Sequence, residues 1–250
     1  MKGNKSKGGL KIDTKYYSKI GRYHQRRNEE NQDYTFKDEN QRFYLIALAD
    51  GASACSESAL GAKIACNTVK DYLFLVGSEI FDWNESKIAF LINEQVFSKI
   101  KKYAETMDKP VDQFGSTLAF CFIDKMLHRV LMFNLGDGAI FLKKDHQYSL
   151  ISPPRNFGVN VSCLTTTEEA YKYTQVKIIS AWVDVSFFIC SDGFHHLLKG
   201  HKYSEAIQNA MLQNDYPLIC KLIDRIEIED DCSFILNTLE PISTLEATCE

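Results

Sequence analysis

Three times in this chain an apolar run ends in Asp-Gly: LIALAD before Gly51, MFNLGD before Gly138 and FFICSD before Gly193. An acidic pair, Asp230-Asp231, opens a fourth apolar run, CSFILNTL. Asp-Gly between two strands is the ordinary two-residue hairpin turn. Asp137-Gly138, with strand-like sequence on both sides, fits that reading as well as a functional one. Asp50 and Asp192 fit it less well, because helical sequence follows each. Carboxylates at the ends of buried strands, with no lysine or arginine beside them in sequence, repel one another if they converge, and a bound cation removes that cost. No His/Cys group has zinc spacing, so the hard oxygens of Asp50, Asp192 and Asp230 point to Mg²⁺ or Mn²⁺. Two such ions sharing a carboxylate would activate a water as nucleophile. Three aspartates against two divalent ions leave the site net positive, which welcomes a phosphate.

The elements that must carry these residues change period along the chain. Residues 1–9 read as a loose Lys/Gly/Ser/Asn tail. From Lys15 come short β-type runs, KYYSKIG and QDYTFK, then FYLIALAD from Phe43 to Asp50, apolar enough for a strand buried on both faces. Extended backbone from Gly21 into the strand near Gln32 would set Arg22 and Arg26 on one side and Arg27 on the other. Leu60, Ile64, Val69 and Leu73 recur at helical intervals through Ser56 to Val76, with Ser53 or Ser56 available as N-cap, and a second amphipathic helix follows from Glu85 to about Tyr103. GSTLAFCFID, LHRVLMFNLG, AIFLKK and QYSLIS then read as an antiparallel meander. VKIIS, VSFFICSD, a short helix FHHLL, helices over Tyr203–Leu212 and Pro217–Ile226, and the strand CSFILNTL complete the order. The expected fold is α+β: two packed antiparallel β-sheets flanked by pairs of α-helices. With no repeat and no break in composition, residues 1–250 read as one domain, disordered from about residue 240.

Composition narrows the function classes. The 250 residues are 45% hydrophobic and 25% charged, which suits a globular core, and the formal charge of −4 gives no electrostatic reason for a nucleic-acid partner. MKGNKSKGGL has positive charge without an apolar stretch behind it, and no 18 apolar residues run together, so neither a secretory signal nor a membrane span is expected. Eight cysteines never form a CxxC and several sit in apolar runs, the pattern of buried free thiols in a reducing, cytoplasmic protein.

Read in order, NQD at Asn31 to Asp33, ADG at Ala49 to Gly51 with GAKIA downstream, GST at Gly115 to Thr117, NLGDG at Asn134 to Gly138, SDG at Ser191 to Gly193 and DDCS at Asp230 to Ser233 resemble the motifs of the metal-dependent protein phosphatase 2C family. The run ADGASACSESALGAKIA is most similar to a bacterial subgroup, and the resemblance covers about residues 15 to 237. It implies hydrolysis of phosphoserine or phosphothreonine on proteins by a water activated between two Mn²⁺ or Mg²⁺ ions, without a phosphoenzyme. It implies further that Asp50 bridges both ions, that the Gly51 carbonyl contributes to one, and that Asp192 and Asp230 hold the other. Asp33 would bind metal waters, with Gln32 beside it, and Asp137 would help hold a weaker third ion. The partner would be a phosphorylated protein, opposed by a Ser/Thr kinase. Two other readings share these residues, a catalytically weak phosphate-recognising signalling module and a phosphatase of small phosphate esters.

The departures from the family pattern are specific. Of the arginines ahead of the NQD motif, Arg27 is the expected phosphate ligand, although it stands one residue further from Asp33 than usual, with Arg26 as the alternative. The position after the first Asp-Gly is Ala52 where many members have a histidine, which leaves a metal-bound water or His24 to protonate the leaving group. Ala139 replaces the arginine that often follows the fourth motif. His195 and His196 read as one buried and one solvated histidine, Trp83 and Trp182 as packing, and Cys55 as a thiol at the rim of the site.

Overall fold

The computed structural model describes residues 10–155, 164–180 and 185–241. The tail over residues 1–9, Cys163, Trp182 and Cys249 lie outside them. Among the described residues, ten strands form two five-stranded antiparallel sheets. One runs in the order β1 (Leu10–Lys19), β10 (Cys232–Pro241), β9 (Val185–Cys190), β6 (Ala139–Lys144), β7 (Gln147–Ser152). The other runs β2 (Tyr34–Glu39), β3 (Phe43–Ala49), β4 (Leu118–Asp124), β5 (Arg129–Leu135), β8 (Gln175–Ser180). The helices are α1 (Arg22–Arg27), α2 (Ser58–Val76), α3 (Glu85–Thr106), α4 (Asp192–Leu197), α5 (Ser204–Leu212) and α6 (Tyr216–Asp224).

Alternation along β3 shows how the layers stack. Leu45, Ala47 and Ala49 pack under α2 and α3, whereas Tyr44, Ile46 and Leu48 fill the space between the sheets. A strand buried on both faces therefore carries no polar side, as its sequence requires. The third layer sets Phe188, Phe194 and Phe234 beneath Ile207 of α5 and Ile219 and Ile223 of α6. Each such side chain, buried fully, contributes about 1.5–3 kcal/mol. α3 buries Ile88, Ile92, Val96 and Ile100, one per turn, and starts where the Asn84 side chain accepts the Lys87 N–H at 2.8 Å. The architecture is the expected α+β sandwich.

Four expectations change. β4 and β5 do form a hairpin, but β5 and β6 lie in different sheets, so the meander divides. The chain crosses between sheets at Gly136 to Gly138, and Asp137-Gly138 is not a hairpin turn. Gly136 sits there at φ 106° with space for no Cβ, since one would stand 2.6 Å from Thr117 Cγ2. Next, Gly21 to Arg27 is not extended. It forms α1, whose first N–H groups are taken by backbone carbonyls, Arg22 N to Ile228 O and Tyr23 N to Glu229 O, and which ends at Asn28 in the left-handed conformation. Third, α2 begins at Ser58 with Glu57 at the cap position and no capping side chain, while Ser53 to Ser56 form turns ahead of it. Last, β1 starts five residues earlier than expected, so that β10 pairs with it as far as Glu240 with Lys11 and Pro241 with Leu10; residues 242–250 lie outside the described residues.

Candidate metal centre

The acidic residues arrive from both sheets. Asp50 follows β3 and is pinned to the start of β4: its N–H donates to Thr117 Oγ1 at 3.0 Å and the Thr117 N–H returns to its carbonyl at 2.8 Å. Gly51 pairs with Ser116 across the same junction and gives its N–H to Gln32 O. A Cβ at Gly51 would stand 2.9 Å from Ser58, so the close approach of Gln32, Gly51 and α2 requires glycine. Asp137 sits in the crossover between sheets, Asp192 is the first residue of α4, and Asp230 lies in the loop entering β10.

Asp50, Gly51, Asp137, Asp192, Asp230 and Thr117 line one cavity of about 390 Å³, whose wall includes no lysine or arginine among the described residues. Asp33 is buried behind it with both carboxylate oxygens enclosed. The electrostatic result is mutual. Burial, then the charges of Asp33, Asp192, Asp230 and Asp137, push Asp50 well above the usual carboxylate range. Burial, then Asp231 and Asp192, push Asp33 up to about 8. Burial and Asp192 push Asp137 up to about 7, and burial and Asp230 raise Asp192. The hydroxyls of Ser233 and Ser191 ease the strain on Asp33 from nearby, without a geometrically sound hydrogen bond to either of its oxygens.

These residues fit a hard divalent cation. Asp33 Oδ1 and Oδ2 and Asp192 Oδ1 are buried acceptors without a hydrogen-bond donor, and all the side-chain donors are carboxylates, the chemistry Mg²⁺ and Mn²⁺ prefer. No group of three His, Cys, Asp or Glu side chains among the described residues is arranged to ligate a single ion. Mg²⁺ ordinarily binds through one or two carboxylates and keeps several waters, so pairs drawn from Asp50, Asp192 and Asp230 are sufficient.

Asp231 plays a different part from its neighbour. It is buried; its Oδ1 accepts the Gly21 N–H at 2.7 Å, its Oδ2 accepts the Gln32 N–H at 2.6 Å, and His24 Nδ1 stands 3.0 Å from Oδ1. It thus ties α1 and the approach to Asp33 onto the loop that carries Asp230. His24 is only 1% exposed and faces Asp231, which removes it as a proton donor to substrate. Thr117 and Asp231 are the supporting residues whose roles the sequence did not disclose. Their signal was a hydroxyl entering an apolar strand and a second acid beside the first.

The three arginines part company. Arg22 pairs with Glu227 and Arg26 with Glu229. Arg27 donates to Glu29 Oε1 at 2.7 Å and Tyr23 OH at 3.1 Å, and it lines a second cavity of about 350 Å³ with Gln32 and Ser53 to Ser56. Ser53, Ala54 and Cys55 form the wall common to both cavities. Cys55 is half-buried there, and burial raises its thiol. His195 is buried and His196 exposed, and Trp83 packs against the α2–α3 core with Lys87 over its ring.

The family model described as Protein phosphatase 2C matches residues 20–237. Among solved structures the chain resembles a variant of a bacterial serine phosphatase at 15% identity and TM-score 0.71, over 94% of this chain and 100% of that one. It resembles the serine/threonine phosphatase Stp1 from Staphylococcus aureus at 16% and 0.68, over 95% and 99%. The catalytic domain of the serine threonine protein phosphatase PstP, solved in complex with two manganese ions, matches at 17% and 0.65, over 92% and 99%. At such identities the likeness is one of fold. No curated protein sequence matches the chain.

Proposed function

Because the chain belongs to the protein phosphatase 2C family, we propose that it hydrolyses phosphoserine and phosphothreonine on proteins, using Mn²⁺ or Mg²⁺. The observation that carries this reading is the convergence of Asp50, Asp137, Asp192 and Asp230 on one cavity, with no lysine or arginine in its wall among the described residues. Asp50, the Gly51 carbonyl, Asp192 and Asp230 would hold two ions, Asp137 would support a weaker third, and Asp33 would accept hydrogen bonds from metal waters. When bound, the cations supply an activated water and neutralise charge on the phosphoryl group.

The protein's own groups do the rest. Thr117 fixes the backbone of Asp50 from β4, and Asp231 holds Gln32 and Gly21, so the acidic loops are set before substrate arrives. Arg27 exchanges Glu29 for a phosphate oxygen across the Ser53 to Cys55 wall; its planar fork matches phosphate better than a lysine would. With Ala52 after the first Asp-Gly and His24 sealed against Asp231, solvent supplies the proton to the departing serine oxygen. Free thiols at Cys66, Cys121, Cys190 and Cys232 suit a reducing compartment, and no helix among the described residues is long and apolar enough to cross a membrane. We place the enzyme in the cytoplasm, opposing a protein Ser/Thr kinase.

Phosphate release from a phosphoserine peptide, followed as Mn²⁺ is titrated, tests the reading. Turnover should rise to saturation with Mn²⁺ and vanish in excess EDTA. Full turnover in EDTA contradicts it, and turnover of p-nitrophenyl phosphate without any phosphopeptide points instead to a small-ester substrate.

A further inference from the structure

A groove leads away from the acidic cavity along α4. The cavity shares Asp137 and Asp192 with a cleft of about 280 Å³, whose other wall is Pro154, His195, His196 and Lys199. That cleft in turn shares His195 and Lys199 with a third space of about 350 Å³ between the β6–β7 hairpin and α5. The three volumes therefore adjoin in series.

The far space is apolar in a way that is not explained by its own packing. Phe141 and Leu150 stand opposite each other across the hairpin, and Met211 and Leu212 face them from α5. Leu150 remains 42% and Leu212 37% exposed. The polar groups there are spent inward: Tyr148 OH donates to Asn214 Oδ1 at 3.1 Å, and Gln208 Nε2 donates to Leu198 O at 2.7 Å. Apart from His195 and Lys199 at the side shared with the cleft, what is left for a ligand is hydrocarbon. Between it and the carboxylates lie the exposed His196 and Lys199, and Lys199 makes no ion pair among the described residues. A chain running from the acidic centre to the groove thus meets cation first and hydrocarbon second.

We propose that this groove reads the substrate: it takes a large apolar side chain of the phosphoprotein about three residues from the phosphorylated one. The proposal rests on the phosphatase reading above. The spacing follows from α4 itself. From Asp192 to the C-cap Leu198 the helix rises about 9 Å at about 1.5 Å per residue, and an extended peptide covers that in about three residues at about 3.3 Å each. The anionic phosphopeptide complements Lys199, with His196 beside it as a polar wall, and the apolar side chain covers Leu150 and Leu212.

Phosphoserine peptides with leucine or alanine three residues to either side of the phosphoserine, assayed with Mn²⁺, test it. Leucine on one side should raise kcat/KM about tenfold over alanine. In a Leu150→Glu, Leu212→Glu double variant that difference should disappear, while turnover of p-nitrophenyl phosphate, too small to reach the groove, stays at the wild-type rate. Equal kcat/KM for the two peptides, or a preference that survives the double variant, overturns the proposal. If neither the phosphopeptides nor p-nitrophenyl phosphate is hydrolysed, the phosphatase reading fails, and fluorescence anisotropy of the same labelled peptides then decides the groove separately. Tighter binding of the leucine peptide, lost in the double variant, upholds it; equal binding overturns it. A dimer in sedimentation that the double variant dissolves gives the groove to a second copy of the chain and overturns the peptide assignment.

Discussion

Arg27 is held by Glu29 and stacked on Tyr23, with its guanidinium 5.1 Å from the ring centre. A phosphate in the site would replace one acidic partner by another at no loss of charge pairing. Arg27→Ala should therefore raise KM for a phosphopeptide several-fold, with Mn²⁺ binding unchanged, since in the proposed site the residue would contact substrate and not ion. Arg22→Ala and Arg26→Ala should leave steady-state kinetics near wild type, because their exposed pairs with Glu227 and Glu229 contribute little. Wild-type kinetics for Arg27→Ala would remove arginine from the account. Asp50, Asp137 and Asp192 were legible in the sequence because each stands where an apolar run stops, and Asp230 because it stands where one begins. The division of labour between Asp230 and Asp231 was not: two adjacent acids look alike until one is found wrapped by Gly21, Gln32 and His24 and the other on a cavity wall.

The elements that bring these residues together touch backbone to backbone. At Gly193, the second residue of α4, a Cβ would stand 2.0 Å from the Asp231 carbonyl oxygen. α4, which carries Asp192, therefore presses directly on the loop that carries Asp230. Gly193→Ala must separate them, and urea unfolding should show a loss of about 1–3 kcal/mol, accompanied by weaker Mn²⁺ binding. Unchanged stability would mean that the two elements are not in register as described. Long helices such as α2 and α3 could be read from period alone, since 19 and 22 residues repeat the apolar stripe several times. α1 could not. Six residues make fewer than two turns, and its orphan N–H groups are satisfied by a segment some 200 positions later. The crossover at Asp137 was equally hidden, because a tight connection between strands of one sheet and one between strands of two sheets use the same residues.

At the scale of the whole molecule, the acidic centre stores repulsion that the folded core must bear. The carboxyls of Asp33, near 8, and Asp137, near 7, lie well above the ordinary value of 3.8, so the folded state binds protons more tightly than the unfolded one. Their protonation favours folding at low pH, and that contribution drains away as pH rises from about 4 towards 8. The metal-free protein should lose several degrees of Tm between pH 5 and pH 8, and added Mn²⁺ should raise Tm more at pH 8 than at pH 5. A Tm flat with pH would contradict the repulsion. The four-layer order was readable because β3 is apolar on both faces and the helices are apolar on one, which leaves few ways to stack them. Which strand joins which sheet depended on pairings that sequence neighbours do not reveal. The central claim is that these carboxylates exist to hold divalent cations, and calorimetric titration of Mn²⁺ into the metal-free protein tests it most directly. Saturable binding of about two equivalents, weakened at least about tenfold in Asp192→Asn with the fold intact by circular dichroism, is the predicted result; no saturable binding, or binding indifferent to Asp192→Asn, would contradict it.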